Sequence, residues 1–457
     1  MSKNFILITR ENKGLLSFVY QAIKKDHENE SKNNTKFLNY HPNIKLSFFV
    51  FAEIIKIIFS GSYFNNHKFA KIKIYNCNIG RYILSQTFKY LDTHLSFFSF
   101  NFYKLKHLLE ALNIVKFSID NNKKIKALYI DHTVYINGIF LNYFSTKNVD
   151  IYTHNYPRGL FKIKRNSQRG NLDFEDLNSI KKNKKYNYNK KKVEKFLYKK
   201  MKPNFSWPWL IETKINFEKL KKKNLQNFDA LVYCHAFTDA QLQCGYSGFY
   251  KYEDWLCYTL DELQKKNKKT IIKIHPNFTK YSTHFRAKFE IKIFNRLKKK
   301  YESNSNFLFI EEPFNNYQFL KLLNKKCILI SHHGTAIIEG ALLGFKIISY
   351  YKGFWEKKFK ITNTWNTKVK YSSLLGKNFK SLKSSNKNDF LNFANQLIFN
   401  KYGPFGKRYF LHLVSKHFKV KISDIDNGLV KLRDYNKKIK TDKLLADRLQ
   451  GSIEKIF

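Results

Sequence analysis

The stretch Ser331 to Gly344, Ser-His-His-Gly-Thr-Ala-Ile-Ile-Glu-Gly-Ala-Leu-Leu-Gly, holds the residue types needed to grip a phosphorylated ligand. It lies between two apolar runs, Cys327 to Ile330 and Phe345 to Tyr350. The window therefore reads as strand, polar turn, short helix and strand, a βαβ unit of a parallel sheet. Gly334 would let the backbone turn sharply with its NH exposed, and Thr335 would cap a helix beginning at Ala336. Free NH groups and the positive end of a helix suit a phosphate. Glu339 stands four residues past that cap, where a capping box requires three. Its carboxylate is then free to accept hydrogen bonds from ribose hydroxyls. The same window also fits a well-made strand-to-helix turn with surface polar residues.

Other strand ends supply further candidates. His235-Ala-Phe-Thr-Asp239 follows the apolar run Ala230 to Cys234, His275-Pro-Asn277 ends Thr270 to Ile274, and Glu311 with Glu312 follows Phe307 to Ile310. Pro276 stops its strand and fixes the backbone at His275. An imidazole held there can donate to a phosphate oxygen, or as imidazolium offset the charge of a leaving group. A purely structural histidine is the plainer alternative. Asp131, after Ile125 to Ile130, is the first candidate for a general base and Asp239 its rival, although Asp131 could equally cap the helix that follows. No carboxylate or cysteine stands at ligand spacing beside His275, His332 and His333, so no metal site is expected. Asp424 and Asp426 precede a C-terminal helix and read as caps.

For these residues to meet, strands must deliver them to one edge of a sheet. In an open α/β sheet, ligands bind outside the carboxyl ends of the strands. Four strands of the second half do this, bringing His235 and Asp239, His275, Glu311 and Glu312, and Ser331 to Thr335 to one rim, with Tyr252 to Lys265 as an amphipathic helix between them. The first half is expected to hold a strand from Phe5 to Thr9, a packed or interfacial helix in Leu46 to Gly61, helices reaching Tyr90 and over Phe102 to Asp120, and strands Ile125 to Ile130 and Ile151 to His154.

The chain of 457 residues is long enough for two domains, each with its own core. The reading divides it into an N-terminal Rossmann-like domain over 1–205, a second over 206–385 and a helical tail over 386–457, with the first boundary near residues 205–225. Residues 162–205 form a basic insertion, half lysine from Lys181 to Lys200, in which aromatic residues are interleaved. Such a run can bind single-stranded nucleic acid, or be a solvated arm. The net charge of +49 is spread over the chain together with abundant Asn, Ile, Phe and Tyr, a bias expected of AT-rich coding. It favours polyanionic glycans, nucleotides and anionic lipids without naming one. Five widely spaced cysteines without a C-x-x-C read as reduced thiols. The N-terminus lacks the pattern of a signal peptide and Leu46 to Gly61 is too short and too charged to cross a bilayer. A cytoplasmic location is expected, with the basic stretch Lys431 to Lys443 as a contact to the inner face of the membrane.

The order His275-Pro276, then Ser331-His-His-Gly-Thr335 with Glu339 and Gly344, resembles the C-terminal half of GT-B glycosyltransferases that build bacterial capsular polysaccharide, especially the group that includes Kdo transferases. His235 to Asp239 with Trp255-Leu256, Asp131 to Gly138 with Tyr135, and Tyr350 to Phe354 are similar to further segments of that family. The resemblance spans roughly residues 75–375. It implies an α/β GT-B fold of two Rossmann-like, doubly wound domains facing a cleft, with donor in the second and a glycan or lipid-linked glycan acceptor in the first. It also implies that His235, His275, Asn277, Ser331, His332, Gly334, Thr335 and Glu339 hold the donor nucleotide, and that Asp131 or Asp239 deprotonates the acceptor. The displacement would invert the anomeric centre without a metal. No cofactor is expected beyond the nucleotide-sugar substrate, and no specific nucleic acid. A sugar-nucleotide epimerase, a polyol-phosphate transferase and a non-enzymatic polyanion binder are the alternatives.

Overall fold

A computed structural model describes residues 4–8, 35–40, 44–90, 97–130, 133–155, 159–162, 194, 224–242, 245–275, 287–312, 315–334, 336–351 and 361–391. They divide into two compact α/β units, the first built mainly from described residues up to Thr87 and from 97–162, the second from 224–391.

The first unit holds strands β1 (Asn4–Ile8), β2 (Thr35–Asn39), the short hairpin β3 (Lys73–Ile74) and β4 (Cys77–Asn78), β5 (Ile125–Ile130), β6 (Asp150–Asn155) and β7 (Gly159–Lys162). Its helices are α1 (Phe48–Phe59), α2 (Asn66–Phe69), α3 (Gly80–Tyr90), α4 (Phe97–Asn121) and α5 (Gly138–Phe144). The main sheet runs β2-β1-β5-β6-β7, parallel except for β7, which pairs antiparallel with β6. Helix α4 buries Leu108, Ala111, Leu112 and Val115, the i, i+3, i+4, i+7 stripe of an amphipathic helix. Its buried Lys104 ammonium donates to the Tyr63 carbonyl at 2.6 Å and lies over the Tyr63 ring, tying the helix to the turn after α1. Helix α5 can begin where it does because residue 138 is glycine. A Cβ there would stand 2.3 Å from the Thr133 carbonyl oxygen.

The second unit holds β8 (Ala230–Tyr233), α6 (Tyr252–Lys265), β9 (Thr270–Lys273), α7 (Ala287–Tyr301), β10 (Phe307–Ile310), α8 (Asn316–Leu322), β11 (Ile328–Ile330), α9 (Ala336–Leu342), β12 (Lys346–Tyr350), β13 (Asn363–Trp365) and α10 (Lys368–Gly376). Its sheet order is β10-β9-β8-β11-β12-β13, with every pairing parallel. Counted within the unit this is 3-2-1-4-5-6, the doubly wound order of dinucleotide-binding folds, with the winding reversed between β8 and β11. Strands β8 and β9 and the three residues of β11 are buried along their whole length, as expected of a parallel sheet covered on both faces.

The α/β class and the parallel sheets agree with the sequence reading, and its strands and helices recur within a few residues of their expected limits. Strands β2, β3, β4, β7 and β13 and helices α2, α7 and α10 have no counterpart in the sequence reading. Four described cysteines are free thiols, with Cys77, Cys234 and Cys327 buried. Among the described residues no helix is long and apolar enough to cross a membrane. Almost all of the basic insertion 162–205, nearly all of the boundary region 205–225 and the tail from residue 392 lie outside the described residues.

Candidate functional site at the switch point of the second sheet

The winding reverses between β8 and β11, and at such a point doubly wound folds bind ligands outside the carboxyl ends of the strands. The ladder continues a little beyond the strands: Cys234 donates its NH to the Lys273 carbonyl at 2.9 Å, and Ile274 donates to that of Ile310 at 3.1 Å. The next residues out are His235 and His275. His333 arrives from the turn after β11. The His235 ring lies 4.3 Å from that of His333 and 6.3 Å from that of His275, centre to centre. Two turns thus bring half-buried imidazoles to one rim, and a third, about a hundred residues along the chain, sets buried His333 behind His235.

The turn after β8 is held by a residue the sequence reading overlooked. Glu290 of α7 is 1% exposed, and its carboxylate accepts hydrogen bonds from the NH groups of Phe237 and Thr238 at 2.6 and 2.7 Å and from the Thr238 hydroxyl. A buried carboxylate is tolerable when donors surround it. Here they fix the segment carrying His235 and Asp239, both half-buried. An acidic residue in an otherwise amphipathic helix was the available signal.

Behind the rim, the histidine doublet forms a closed chain of hydrogen bonds. His332 Nδ1 lies 2.7 Å from His333 Nδ1, His332 Nε2 lies 3.0 Å from Ser247 Oγ, and His333 Nε2 lies 3.4 Å from Tyr252 Oη. Tyr252 donates its hydroxyl proton to the Ala240 carbonyl at 3.0 Å. That carbonyl sets the direction of the chain: His333 must donate from Nε2 to Tyr252, accept at Nδ1 from His332, and leave His332 Nε2 to accept from Ser247. Both rings are then neutral. Burial holds their pKa values well below the ordinary histidine value, and a charge on His235 would press them lower. Trp255, Tyr350 and Trp365 pack around His332 at 4.9 to 5.7 Å between ring centres. His332 therefore faces into the packed interior with both nitrogens engaged, and its position braces His333.

Two residues further back along β8 and β9, Tyr233 and Lys273 meet Asn316 and Glu339. The Asn316 amide donates to Glu339 at 2.6 Å, and its oxygen accepts from Tyr233 at 2.9 Å and Lys273 at 3.3 Å. Burial lowers the Lys273 pKa and the Glu339 charge opposes that shift. The Glu339 carboxyl is pushed up by burial and drawn back by Asn316 and Lys273. Glu339, expected near a ribose, is thus already hydrogen-bonded within the protein.

The turn after β11 also differs from the expectation of an exposed NH at Gly334. That NH donates to Ser331 Oγ at 3.1 Å. The seven-residue helix α9 sits close on β11 because position 340 is glycine, where a Cβ would fall 2.1 Å from Leu329 Cδ1. Gly344, with φ of +82°, ends the helix in the left-handed region that glycine adopts freely. Asp131, Asn277 and Thr335 lie outside the described residues.

The rim therefore offers the half-buried imidazoles of His235 and His275 and the Asp239 carboxylate. Burial lowers the His235 pKa, and the Asp239 charge and the Ala236 carbonyl counter it. Such a set can donate hydrogen bonds to phosphate oxygens and take a proton from a hydroxyl. Among the described residues no group of three or more His, Cys, Asp or Glu could hold a metal ion.

No protein-family model matches the chain, and no curated protein matches it. Among solved structures the fold is similar to Thermosulfurimonas dismutans KpsC, a beta Kdo 2,4 transferase, at 11% identity and a TM-score of 0.35 over 60% of this chain and 79% of that one. It is also similar to the Methanocaldococcus jannaschii UDP-GlcNAc 2-epimerase in complex with UDP-GlcNAc and UDP, at 14% identity and a TM-score of 0.29 over 87% and 99%.

Proposed function

We propose that this chain is a glycosyltransferase of the GT-B type that moves a sugar from a nucleotide-activated donor to a glycan or lipid-linked glycan of a bacterial surface polysaccharide. The observation that carries this reading is the meeting of His235, His275 and His333 at the switch point of a 3-2-1-4-5-6 parallel sheet, where such folds place nucleotide phosphates. The motif order from His275-Pro276 through Ser331 to Gly344 supports the choice of reaction.

In the proposed mechanism His235, His275, Asn277 and the turn from Ser331 to Thr335 hold the donor phosphates, and His332 supports them from behind. Asp239 or Asp131 takes the proton of the acceptor hydroxyl. The oxygen attacks the anomeric carbon from the face opposite the nucleotide, the bond to phosphate breaks, and the configuration inverts. Hydrogen bonds from imidazoles offset the charge that develops on the leaving phosphate, so no metal is needed. Glu339 is the residue assigned to the ribose.

Incubation with a panel of nucleotide-sugars and oligosaccharide acceptors tests this. Acceptor-dependent release of free nucleotide, cut at least about a hundredfold in His275→Ala, is expected. Conversion of the donor to an epimer without acceptor would instead place the chain among epimerases.

A further inference from the structure

Helix α1 has two apolar faces, and only one of them is packed. Val50, Ile54 and Ile57 are buried, whereas Phe48, Phe51, Ile55 and Phe59 are 88%, 50%, 38% and 82% exposed. At 100° per residue the exposed four fall on one face and the buried three on the opposite one. Further exposed aromatic residues stand in the turn after the helix and on α4, which packs beside it. Phe64 in the following turn stacks on Phe97 at 6.4 Å, and Phe97, Phe98 and Phe102 at the start of α4 are 63%, 83% and 69% exposed. So many exposed large aromatic residues on two neighbouring helices mark an interaction site.

Charge identifies the partner. Residues 44–75 carry five lysines, Lys45, Lys56, Lys68, Lys71 and Lys73, all exposed. The carboxylate in that stretch, Glu53, is paired with Lys56 at 2.8 Å. Residues 97–109 add exposed Lys106 and hold no acidic residue. Exposed aromatic side chains with exposed lysines on the same segments fit the headgroup region of an anionic bilayer, where the rings enter the acyl boundary and the ammonium groups meet phosphates. A second copy fits poorly. A two-fold interface would bring the same patch, and the same lysines, face to face with almost no carboxylate between them. At twelve residues α1 is too short to span a bilayer and must lie along it.

We propose that the face formed by α1, the turn at Phe64 and the start of α4 binds the surface of an anionic lipid membrane, with α1 lying in the interface. These residues are distinct in sequence from the basic stretch Lys431 to Lys443, and the proposal does not depend on the reaction catalysed.

Cosedimentation of the full chain with vesicles of phosphatidylcholine alone, or of phosphatidylcholine and phosphatidylglycerol in equal parts, tests the proposal. The native chain is expected to pellet with the anionic vesicles and to be released by salt. The variant Phe48→Ser/Phe59→Ser/Phe98→Ser/Phe102→Ser alters exposed positions only, so its melting temperature should be unchanged while binding falls at least about tenfold. Lys45→Glu/Lys68→Glu/Lys73→Glu should weaken binding about fivefold per charge neutralised, and more for the reversals made here. Unchanged binding by the aromatic variant would overturn the proposal. So would loss of binding only on neutralising the lysines between 431 and 443, or a native dimer that the aromatic variant converts to monomer.

Discussion

Two aromatic clusters, one in each unit, are used in opposite ways. In the second unit the rings turn inward: Trp255, Tyr350 and Trp365 enclose His332, and His235 packs on Tyr252 and on His333. On α1 and α4 of the first unit, Phe48, Phe59, Phe98 and Phe102 turn outward, with exposed lysines on the same segments. Aromatic content alone therefore decides neither site. What decides is whether neighbouring polar groups are enclosed and satisfied, as around Glu290 and His332, or left at the surface as ammonium groups.

That contrast can be broken most strongly at Glu290. Its replacement by alanine strands two buried NH groups and a hydroxyl, each costing about 1–3 kcal/mol when unpaired, so Glu290→Ala should lose at least about 3 kcal/mol in urea unfolding. Acid should act next. Because burial lowers the pKa of His332 and His333 below their unfolded value of 6.5, the folded state binds fewer protons there. Their contribution is full above that value and is lost as pH falls below it, by about 1.4 kcal/mol per pH unit for each ring. A double His332→Asn/His333→Asn variant should show a flatter dependence below that value. A steep slope that survives this change would show that the doublet does not carry it.

In the first unit the corresponding buried cation is Lys104, its pKa lowered to about 8 by burial. The unfolded chain keeps that proton up to its usual value of 10.5, so stability should rise with pH between about 8 and 10.5, by about 2–3 kcal/mol, and this rise should be absent in Lys104→Met. Smallest of all is the expected effect of Phe98→Ser, within about 0.5 kcal/mol of the native chain, because its ring is already in water. A larger loss would mean the outer face is packed in solution.

Much of the second unit was legible from the sequence because buried parallel strands read as short apolar runs that end on polar residues. His235, His275 and Ser331 were found that way, and the structure brings the turns carrying them together. The internal partners were not legible. Glu290 acts 53 residues from Phe237, and Asn316 reaches Glu339 from a neighbouring helix, pairings that no local spacing encodes. The Gly334 NH was expected to be open because the Ser331 hydroxyl that takes it lies inside the same turn and has no signature apart from being serine. Helix α1 read as packed or interfacial. Its periodicity could not say which of two apolar faces would remain uncovered.

The account depends most on a nucleotide phosphate resting against His275 at the switch point. Thermal shifts with CMP, UDP, GDP and CDP, measured on the native chain and on His275→Ala, test it directly, since a ligand bound only to the folded state stabilises it by mass action. One nucleotide should raise the native melting temperature in a concentration-dependent way, with the shift lost in His275→Ala. No stabilisation by any of the four, or the same shift in both proteins, would contradict it.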